Sequence, residues 1–272
     1  MKNKRKVELV VLSDVHLGTY GCHAEELLKY LKSIQVETLV LNGDIIDMWN
    51  FSKSYFPAAH MNVLRHIIKM LANGTKVYYI TGNHDEALRK YTDLVMGDFE
   101  LVDKLVLELD GNKTWIFHGD VFDSSTKGYA KIIAKIGGKG YDLLILINSL
   151  VNWFLVLLGK EKRSFSKAIK DSVKKAVSFI TNFEATAAEI AIEKKYSHVV
   201  CGHIHKPQMK QIDTENGSVM YLNSGDWVEN LTALEYHAKT WRIYQFNNAD
   251  FIKENTSEDN DKMDIVAKIL QE

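Results

Sequence analysis

Apolar positions along the first third of the chain alternate between the strand and the helix period. Residues 7–12 form an apolar run that predicts a first, central strand. Residues 24–34 place apolar side chains three and four positions apart, as in a helix, and residues 38–41 predict the next parallel strand. Residues 60–71 repeat the helical period, and 76–80 repeat the strand. This order predicts an α/β protein built on a parallel sheet.

The second half of the chain predicts further strands around a segment of different character. Residues 105–109 and 114–117 flank an Asp-Gly-Asn turn, which is typical of a hairpin. After a strand at 197–201, shorter apolar runs predict antiparallel strands at 209–212, 219–222, 232–236 and 241–246. A polar loop with a glycine, 223–227, interrupts this set, and the pattern leaves its role open.

Polar side chains capable of chemistry follow five of these strands. Since parallel strands end at the same edge of a sheet, these side chains are expected to meet there. In the D-x-H and H-x-H segments the two ligands are two positions apart, so on extended backbone both point to one side. Imidazole with carboxylate is a ligand set for transition metals. The strand ends supply Asp14, His16, Asp44, Asn83, His118, His203 and His205.

Composition narrows the class of protein further. The 272 residues are 46% hydrophobic, enough for a sizeable core, and the net charge of -1 gives no basic field that would favour nucleic acid as a partner. Two distant cysteines, Cys22 and Cys201, argue against a disulfide framework. The apolar run after the basic N-terminus is short, contains Glu8 and lacks a small-residue cleavage site, so a cytoplasmic protein is expected.

Residues 141–158 are almost wholly apolar, and basic residues follow them between 160 and 175. The length reaches the lower limit for a membrane span. A buried core helix, or a lid over an apolar ligand that also contacts a membrane, explains the pattern as well. After residue 247 the chain is polar and charged, which predicts a C-terminal tail.

The ordered motifs D-x-H, G-D-x-x-D, G-N-H-D, H-G-D and G-H-x-H resemble the calcineurin-like metallophosphoesterase superfamily. The resemblance implies an α/β fold, a four-layer αββα sandwich over residues 1–247, with residues 124–182 inserted as a helical lid and 248–272 as the tail. It also implies two divalent metal ions, Mn most readily, with Fe, Zn or Mg possible. Asp14, His16, Asp44 and His205 would hold the first ion, and Asp44, Asn83, His118 and His203 the second.

The resemblance further implies in-line attack of a metal-bridging hydroxide on phosphorus. His84 is the candidate for protonating the leaving oxygen or stabilising developing charge, with Asp85 as its expected carboxylate partner. A purely supporting role behind the ligands is the alternative for His84.

Within the superfamily the chain is similar to the UDP-2,3-diacylglucosamine pyrophosphatases of lipid A synthesis. That family releases UMP and 2,3-diacylglucosamine 1-phosphate, which implies a nucleotide-activated glycolipid substrate and a peripheral location at the inner face of the cell membrane. This chain has His84 where the best-studied branch has Arg, so it resembles a divergent branch. The corresponding substrate contacts would be Trp49, Tyr129, Arg163, Ser166 and Lys170.

Two other functions remain open at this point. A soluble phosphodiesterase or phosphomonoesterase acting on nucleotides or phosphoproteins would use the same metal ligands, but gives no reason for the apolar insert. A non-catalytic membrane- or protein-binding module could keep the fold, but has no need of the ligand set.

Overall fold

The computed structural model describes residues 4–49, 55–125 and 166–251, with side chains described up to residue 122 in the second range and from residue 177 onward in the last. Three α-helices lie within these ranges. They are α1 (Ala24–Ser33), α2 (Ala58–Ala72) and α3 (Ser166–Glu193). Two short 3-10 helices follow strand ends, at Glu86–Tyr91 and Asp120–Ser125.

The first sheet has seven strands. They are β1 (Arg5–Leu12), β2 (Ile34–Asn42), β3 (Lys76–Ile80), β4 (Leu94–Met96), β5 (Phe99–Val102), β11 (Thr232–His237) and β12 (Thr240–Gln245). Their order across the sheet is β12-β11-β1-β2-β3-β5-β4. The central strands β1, β2, β3 and β5 are parallel, whereas β11, β12 and β4 pair antiparallel with their neighbours.

The second sheet has five strands. They are β6 (Lys104–Leu109), β7 (Asn112–Phe117), β8 (His198–Cys201), β9 (Gln208–Thr214) and β10 (Gly217–Asn223). The order is β6-β7-β8-β10-β9, with β7, β8 and β10 parallel and the two edge strands antiparallel. The predicted hairpin is therefore β6–β7, and every predicted strand is present.

Three apolar clusters define the layers. The first packs α1 and α2 on the outer face of the first sheet, through residues such as Leu31 and Val63. The second lies between the two sheets, where Val40 and Val200 are both buried. The third packs α3 on the outer face of the second sheet, through Phe183 among others. Helix, sheet, sheet and helix thus form four layers, which confirms the predicted α/β fold and αββα sandwich.

The strands β4 and β5 were not predicted from the sequence. All three residues of β4 are exposed, and only Leu101 of β5 is fully buried. With three and four residues, these strands are too short for an apolar pattern to predict them. Residues 126–165 and 252–272 lie outside the described ranges, so the lid insert, the apolar stretch 141–158 and the C-terminal tail stay predictions. No helix in the described part of the chain is long and apolar enough to cross a membrane.

Candidate metal centre

The loops after β1 and β2 run side by side at the edge of the first sheet. The backbone N–H of Asp14 donates to the carbonyl of Gly43 (3.1 Å), and that of His16 donates to the carbonyl of Asp44 (2.9 Å). These bonds continue the parallel pairing of β1 with β2 beyond the strands. They place Asp14 beside Asp44, as the order of the strands predicts.

The structure brings six of the predicted ligands, together with His84, into three overlapping groups. Within each group, one ligand atom from each side chain lies within 4.8 Å of the others, and the groups are Asp14, His16 and His205; His16, Asp44 and His84; and Asp44, His118 and His203. Asp44 and His16 each belong to two groups. Asn83, from the loop after β3, adds a buried amide oxygen.

Five of the predicted ligands have left-handed backbone. Asp14, His16, Asp44, His203 and His205 have φ between 52° and 66°. The expectation that the D-x-H and H-x-H segments are extended is therefore wrong. Left-handed backbone at a residue other than glycine costs on the order of 1–3 kcal/mol and recurs at functional sites, where surrounding structure holds it. In each of these segments the two ligands have left-handed backbone, and this conformation, in place of an extended strand, turns both side chains toward the site.

Asp14 and Asp44 each accept a backbone hydrogen bond from another ligand loop with one carboxylate oxygen and face an imidazole with the other. Asp14 Oδ2 accepts the backbone N–H of His203 (3.0 Å), and Asp44 Oδ1 accepts that of His84 (2.8 Å). The second oxygen of Asp14 lies 3.1 Å from His205 Nε2, and that of Asp44 lies 3.2 Å from His118 Nε2. The carboxylates therefore join the ligand loops of both sheets.

These donor atoms fit a bound cation better than they fit one another. Asp14 Oδ1, His16 Nε2, Asn83 Oδ1 and His118 Nε2 are buried, and among the described residues none of them makes a hydrogen bond. Neighbouring ligands of an octahedral ion with bonds of about 2.1 Å lie about 3 Å apart. Separations near 3 Å without hydrogen-bond geometry match atoms directed at a common ion, and the set of imidazole, carboxylate and amide donors suits a divalent transition metal.

The far nitrogens of two imidazoles have partners that orient the rings. His118 Nδ1 lies 2.9 Å from the carbonyl oxygen of Asn42, so it carries the proton and donates it. His16 Nδ1 lies 3.2 Å from Asp47 Oδ2. In both rings Nε2 is left to face the site. Partners of this kind fix the tautomer of metal-binding histidines in proteins.

The charges of the site shift the pKa values of its members. Burial lowers the pKa of His205, but the Asp14 carboxylate outweighs it and raises this pKa to about 9. Burial favours the neutral form of Asp44, yet the His118 imidazole lowers the pKa of the Asp44 carboxyl to about 2. The carboxylates are therefore ionised at neutral pH, which is the state that binds cations.

His84 pairs with Asp47 and not with Asp85. Its Nδ1 lies 3.0 Å from Asp47 Oδ2, and although burial opposes the charge, this carboxylate raises the pKa of His84 above its usual value. The prediction that Asp85 is the carboxylate partner of His84 is wrong. The Asp85 carboxylate instead accepts hydrogen bonds from the backbone N–H groups of Ile45 and Gly82 and from the hydroxyl of Tyr79. Asp85 is fully buried and shapes the loop.

Asp47 is a candidate functional residue that the sequence analysis does not identify. It is the second aspartate of the G-D-x-x-D segment, so the motif contains it, but the sequence alone favours Asp85, the neighbour of His84 in the chain. In the structure its Oδ2 faces two imidazoles, those of His16 and His84. Asp47, which lies 37 positions before His84, thus makes the contact that was expected of the adjacent Asp85.

The predicted substrate residues are divided between the described and the undescribed parts of the chain. Trp49 is half exposed, and its ring centroid lies 4.4 Å from that of His84, beside the ligand cluster. Ser166 and Lys170 lie in α3, but the structure does not describe their side chains. Tyr129 and Arg163 lie outside the described residues.

A cluster of carboxylate and imidazole ligands at the edge of a two-sheet α/β fold is the arrangement of a metal-dependent hydrolase of phosphoric esters. Residues 7–207 match the family model described as calcineurin-like phosphoesterase, and the chain belongs to that family. It is accordingly a metal-dependent phosphoester hydrolase.

Two relatives illustrate the closer similarities. One, from Aliivibrio fischeri (strain MJ11), is 24% identical over 249 residues, covering 87% of this chain and 98% of the relative. Another, from Neisseria gonorrhoeae (strain ATCC 700825 / FA 1090), is 29% identical over 220 residues, covering 79% and 88%. Both carry the name UDP-2,3-diacylglucosamine hydrolase.

Solved structures show more distant similarity. One described as a novel archaeal phosphodiesterase aligns with 87% of this chain and 98% of its own, at 15% identity and a TM-score of 0.44. Another, Yfce, a phosphoesterase from E. coli, covers 88% and 99%, at 13% identity and a TM-score of 0.42.

Proposed function

We propose that this chain hydrolyses the pyrophosphate of UDP-2,3-diacylglucosamine to UMP and 2,3-diacylglucosamine 1-phosphate. The observation that carries the proposal is the alignment of hydrolases of that name, over 88–98% of their own length, with a chain whose described part holds the ligand cluster. Each relative shares less than a third of its residues with this chain, so the substrate is the part of the proposal that an assay must decide.

We assign two divalent cations to the cluster. Asp44, which belongs to two ligand groups, would be shared between them. The donors are oxygen and nitrogen without thiolate, which favours Mn over softer ions and leaves Fe, Zn and Mg as alternatives. When bound, such a pair lowers the pKa of a water and neutralises charge on the phosphoryl group. The first cation would take Asp14, His16, Asp44 and His205, and the second Asp44, Asn83, His118 and His203.

His84 is the proposed proton donor to the leaving oxygen. Asp47 Oδ2 lies 3.0 Å from His84 Nδ1 and raises the pKa of His84 above its usual value, which favours the proton-donating form. The backbone N–H of His84 is already bound to Asp44, which places the ring beside the ligand cluster. Asp85 contributes by holding the loop that carries His84.

Exposed aromatic side chains on the loops after β1 and β2 support a substrate with apolar or planar groups. Tyr20 is 83% exposed and Trp49 is 50% exposed. The backbone bridge between Leu17 and Ile46 lies three positions before each of them, so both residues project from neighbouring loops. We assign Trp49 to the wall of the substrate pocket.

The remaining substrate contacts are proposals from the family resemblance. Residues 124–182 would form a helical lid that receives the acyl chains, with Tyr129, Arg163, Ser166 and Lys170 contacting the sugar and phosphate groups. A glycolipid substrate of this kind resides in a bilayer. We therefore place the enzyme at the inner face of the cytoplasmic membrane as a peripheral protein.

The test compares UMP release from UDP-2,3-diacylglucosamine and from UDP-N-acetylglucosamine, with Mn²⁺ present. We expect the diacylated substrate to be cleaved at least about tenfold faster, because burial of acyl methylenes contributes about 0.8 kcal/mol each. His118→Ala should abolish release from both, whereas the matched control His237→Ala, an exposed histidine paired with Glu8, should retain it. Equal rates on the two substrates would contradict the lipid substrate, and activity in His118→Ala would contradict the metal centre.

A further inference from the structure

The loop after β10 contains polar residues that neither the ligand set nor the proposed reaction uses. Asn223, Ser224, Asp226 and Trp227 are all fully buried. Burying this many polar side chains is costly unless each has a partner. The loop 223–230 makes several of its hydrogen bonds to the two segments that carry Asp14 and His205.

One side of this loop binds the segment that carries Asp14. The backbone N–H of Trp227 donates to the carbonyl of Asp14 (3.1 Å). The Ser13 hydroxyl donates to the carbonyl of Gly225 (3.0 Å) and lies 2.6 Å from the Ser224 hydroxyl. These bonds help to hold the left-handed backbone of Asp14.

The carboxylate of Asp226 divides its two oxygens between the loop and the metal centre. Oδ1 accepts backbone N–H groups from Val228, Glu229 and Asn230, which closes the turn. Oδ2 faces the other way, toward His205 Nδ1 at 3.9 Å. An asparagine could accept the same backbone hydrogens through its amide oxygen, so the turn alone does not require a second charged oxygen.

Asn230 joins Asp226 to the backbone of His205. Its side-chain nitrogen donates to Asp226 Oδ2 and also to the carbonyl oxygen of His205 (2.8 Å). The backbone and the ring of His205 are therefore both approached by this pair, while His205 Nε2 lies 3.1 Å from Asp14 Oδ1.

We propose that Asp226 and Asn230 are positioning residues for His205, and that they act selectively on the cation that Asp14 and His205 hold. At 3.9 Å the Asp226 carboxylate lies beyond hydrogen-bond distance of Nδ1, but its buried charge favours the proton on that nitrogen and so leaves the Nε2 lone pair for the ion. The inference rests on the two-cation assignment of the proposed function. Nothing in it depends on which phosphoric ester is cleaved.

The test titrates metal-free protein with Mn²⁺ and measures binding by calorimetry and by electron paramagnetic resonance. Wild-type protein should bind two ions and give a spin-coupled signal. Asp226→Asn keeps the acceptor for the turn but removes the charge facing His205, so it should weaken one of the two binding constants about 10- to 100-fold and leave the other unchanged. Asn230→Ala should act on the same constant.

Glu235→Gln is the matched control, because Glu235 is also a fully buried carboxylate but pairs with Arg5 and Arg242. It should lower the melting temperature and leave both Mn²⁺ constants unchanged. Two unchanged constants in folded Asp226→Asn would overturn the inference, as would equal weakening of both constants. Wild-type protein that binds fewer than two ions would overturn the two-cation assignment itself, and the inference with it.

Discussion

Asp47 lies behind two imidazoles of the metal centre and touches both with one oxygen. Oδ2 is 3.2 Å from His16 Nδ1 and 3.0 Å from His84 Nδ1, while Oδ1 accepts the backbone N–H of Trp49 (3.1 Å). The side chain is buried, so its charge acts in a region of low dielectric. One carboxylate thus contacts a candidate ligand, a candidate acid and the backbone of Trp49, which we propose for the pocket wall.

Replacing Asp47 by Asn should lower kcat about 10- to 100-fold, because the oriented imidazoles lose their negative partner. Steady-state hydrolysis of an aryl phosphodiester with Mn²⁺ measures this. Asp110→Asn removes an exposed carboxylate, paired with Tyr236 in the β6–β7 hairpin, and should leave kcat unchanged. An equally active Asp47→Asn would show that His16 and His84 are held without it.

Gly82 allows the loop after β3 to approach Asp44. A Cβ at this position would lie 2.7 Å from the backbone nitrogen of Asp44 and would also meet its carboxylate. Gly82→Ala should therefore reduce bound metal, measured by elemental analysis of purified protein. Gly74→Ala should keep its metal and lose about 1–2 kcal/mol of stability, since Gly74 has open space but a positive φ. Full metal content in Gly82→Ala would show that the loop after β3 can move away from Asp44 without loss of the bound metal.

At the residue scale, the sequence identifies which side chains form the candidate ligand cluster, but it does not identify which residues those side chains contact. Strand-end motifs predicted a ligand cluster, and the structure brings those residues together. The partner of His84 could not be predicted by proximity, because the loop after β2 places Asp47 nearer than Asp85. The left-handed backbone of the ligands was also missed, since it depends on bonds between loops distant in sequence.

Among the secondary-structure elements, a buried carboxylate on β11 connects four of them. Glu235 accepts hydrogen bonds from Arg5 of β1, Tyr30 of α1 and Arg242 of β12. Its side chain is fully buried, whereas both arginines are partly exposed. Burial raises the pKa of Glu235, but these hydrogen bonds outweigh it and lower the pKa below its usual value.

A lowered pKa makes this contribution to stability depend on pH. Since the folded-state pKa lies below the unfolded-state value of about 4.3, the ionised network stabilises the fold above that pH and loses its contribution as pH falls through the folded-state pKa. Glu235→Gln should cost about 1–3 kcal/mol of unfolding free energy at pH 7. Urea unfolding from pH 7 to pH 3 should show the difference between the two proteins shrinking, and a constant difference would contradict the network.

The elements that the sequence predicts well are those with a buried face and a clear period. The strands β1, β2 and β3 and the helices α1 and α2 pack into one core, and their apolar spacing was visible in the chain. The strands β4 and β5 lie at one end of the first sheet, where burial is slight, and with three and four residues they are too short to show such a period.

For the molecule as a whole, the candidate metal centre joins the two sheets. Asp14, Asp44 and Asn83 follow strands of the first sheet, whereas His118, His203 and His205 follow strands of the second. The apolar layer between the sheets supplies the other connection. Bound cations should therefore stabilise the folded chain as a unit, because the unfolded chain does not hold this site.

Removing the cations with EDTA should lower the melting temperature by about 5–10 °C, since a ligand at a hundred times its Kd contributes about 2.7 kcal/mol. Calorimetry with and without Mn²⁺ measures the shift. His118→Ala should reduce it, and His237→Ala should not. A melting temperature that EDTA does not change would show that the ligand loops are held without a metal.

The bond from the backbone of His84 to Asp44 has a consequence for how such enzymes diverge. Asp44 is held at this point by a peptide N–H, which every residue except proline provides. The side chain at position 84 is therefore free to change without releasing Asp44. Under the proposed function, the backbone N–H of residue 84 supports metal binding through Asp44, whereas its side chain acts on the leaving group, so a mutation can alter the second property and leave the first intact.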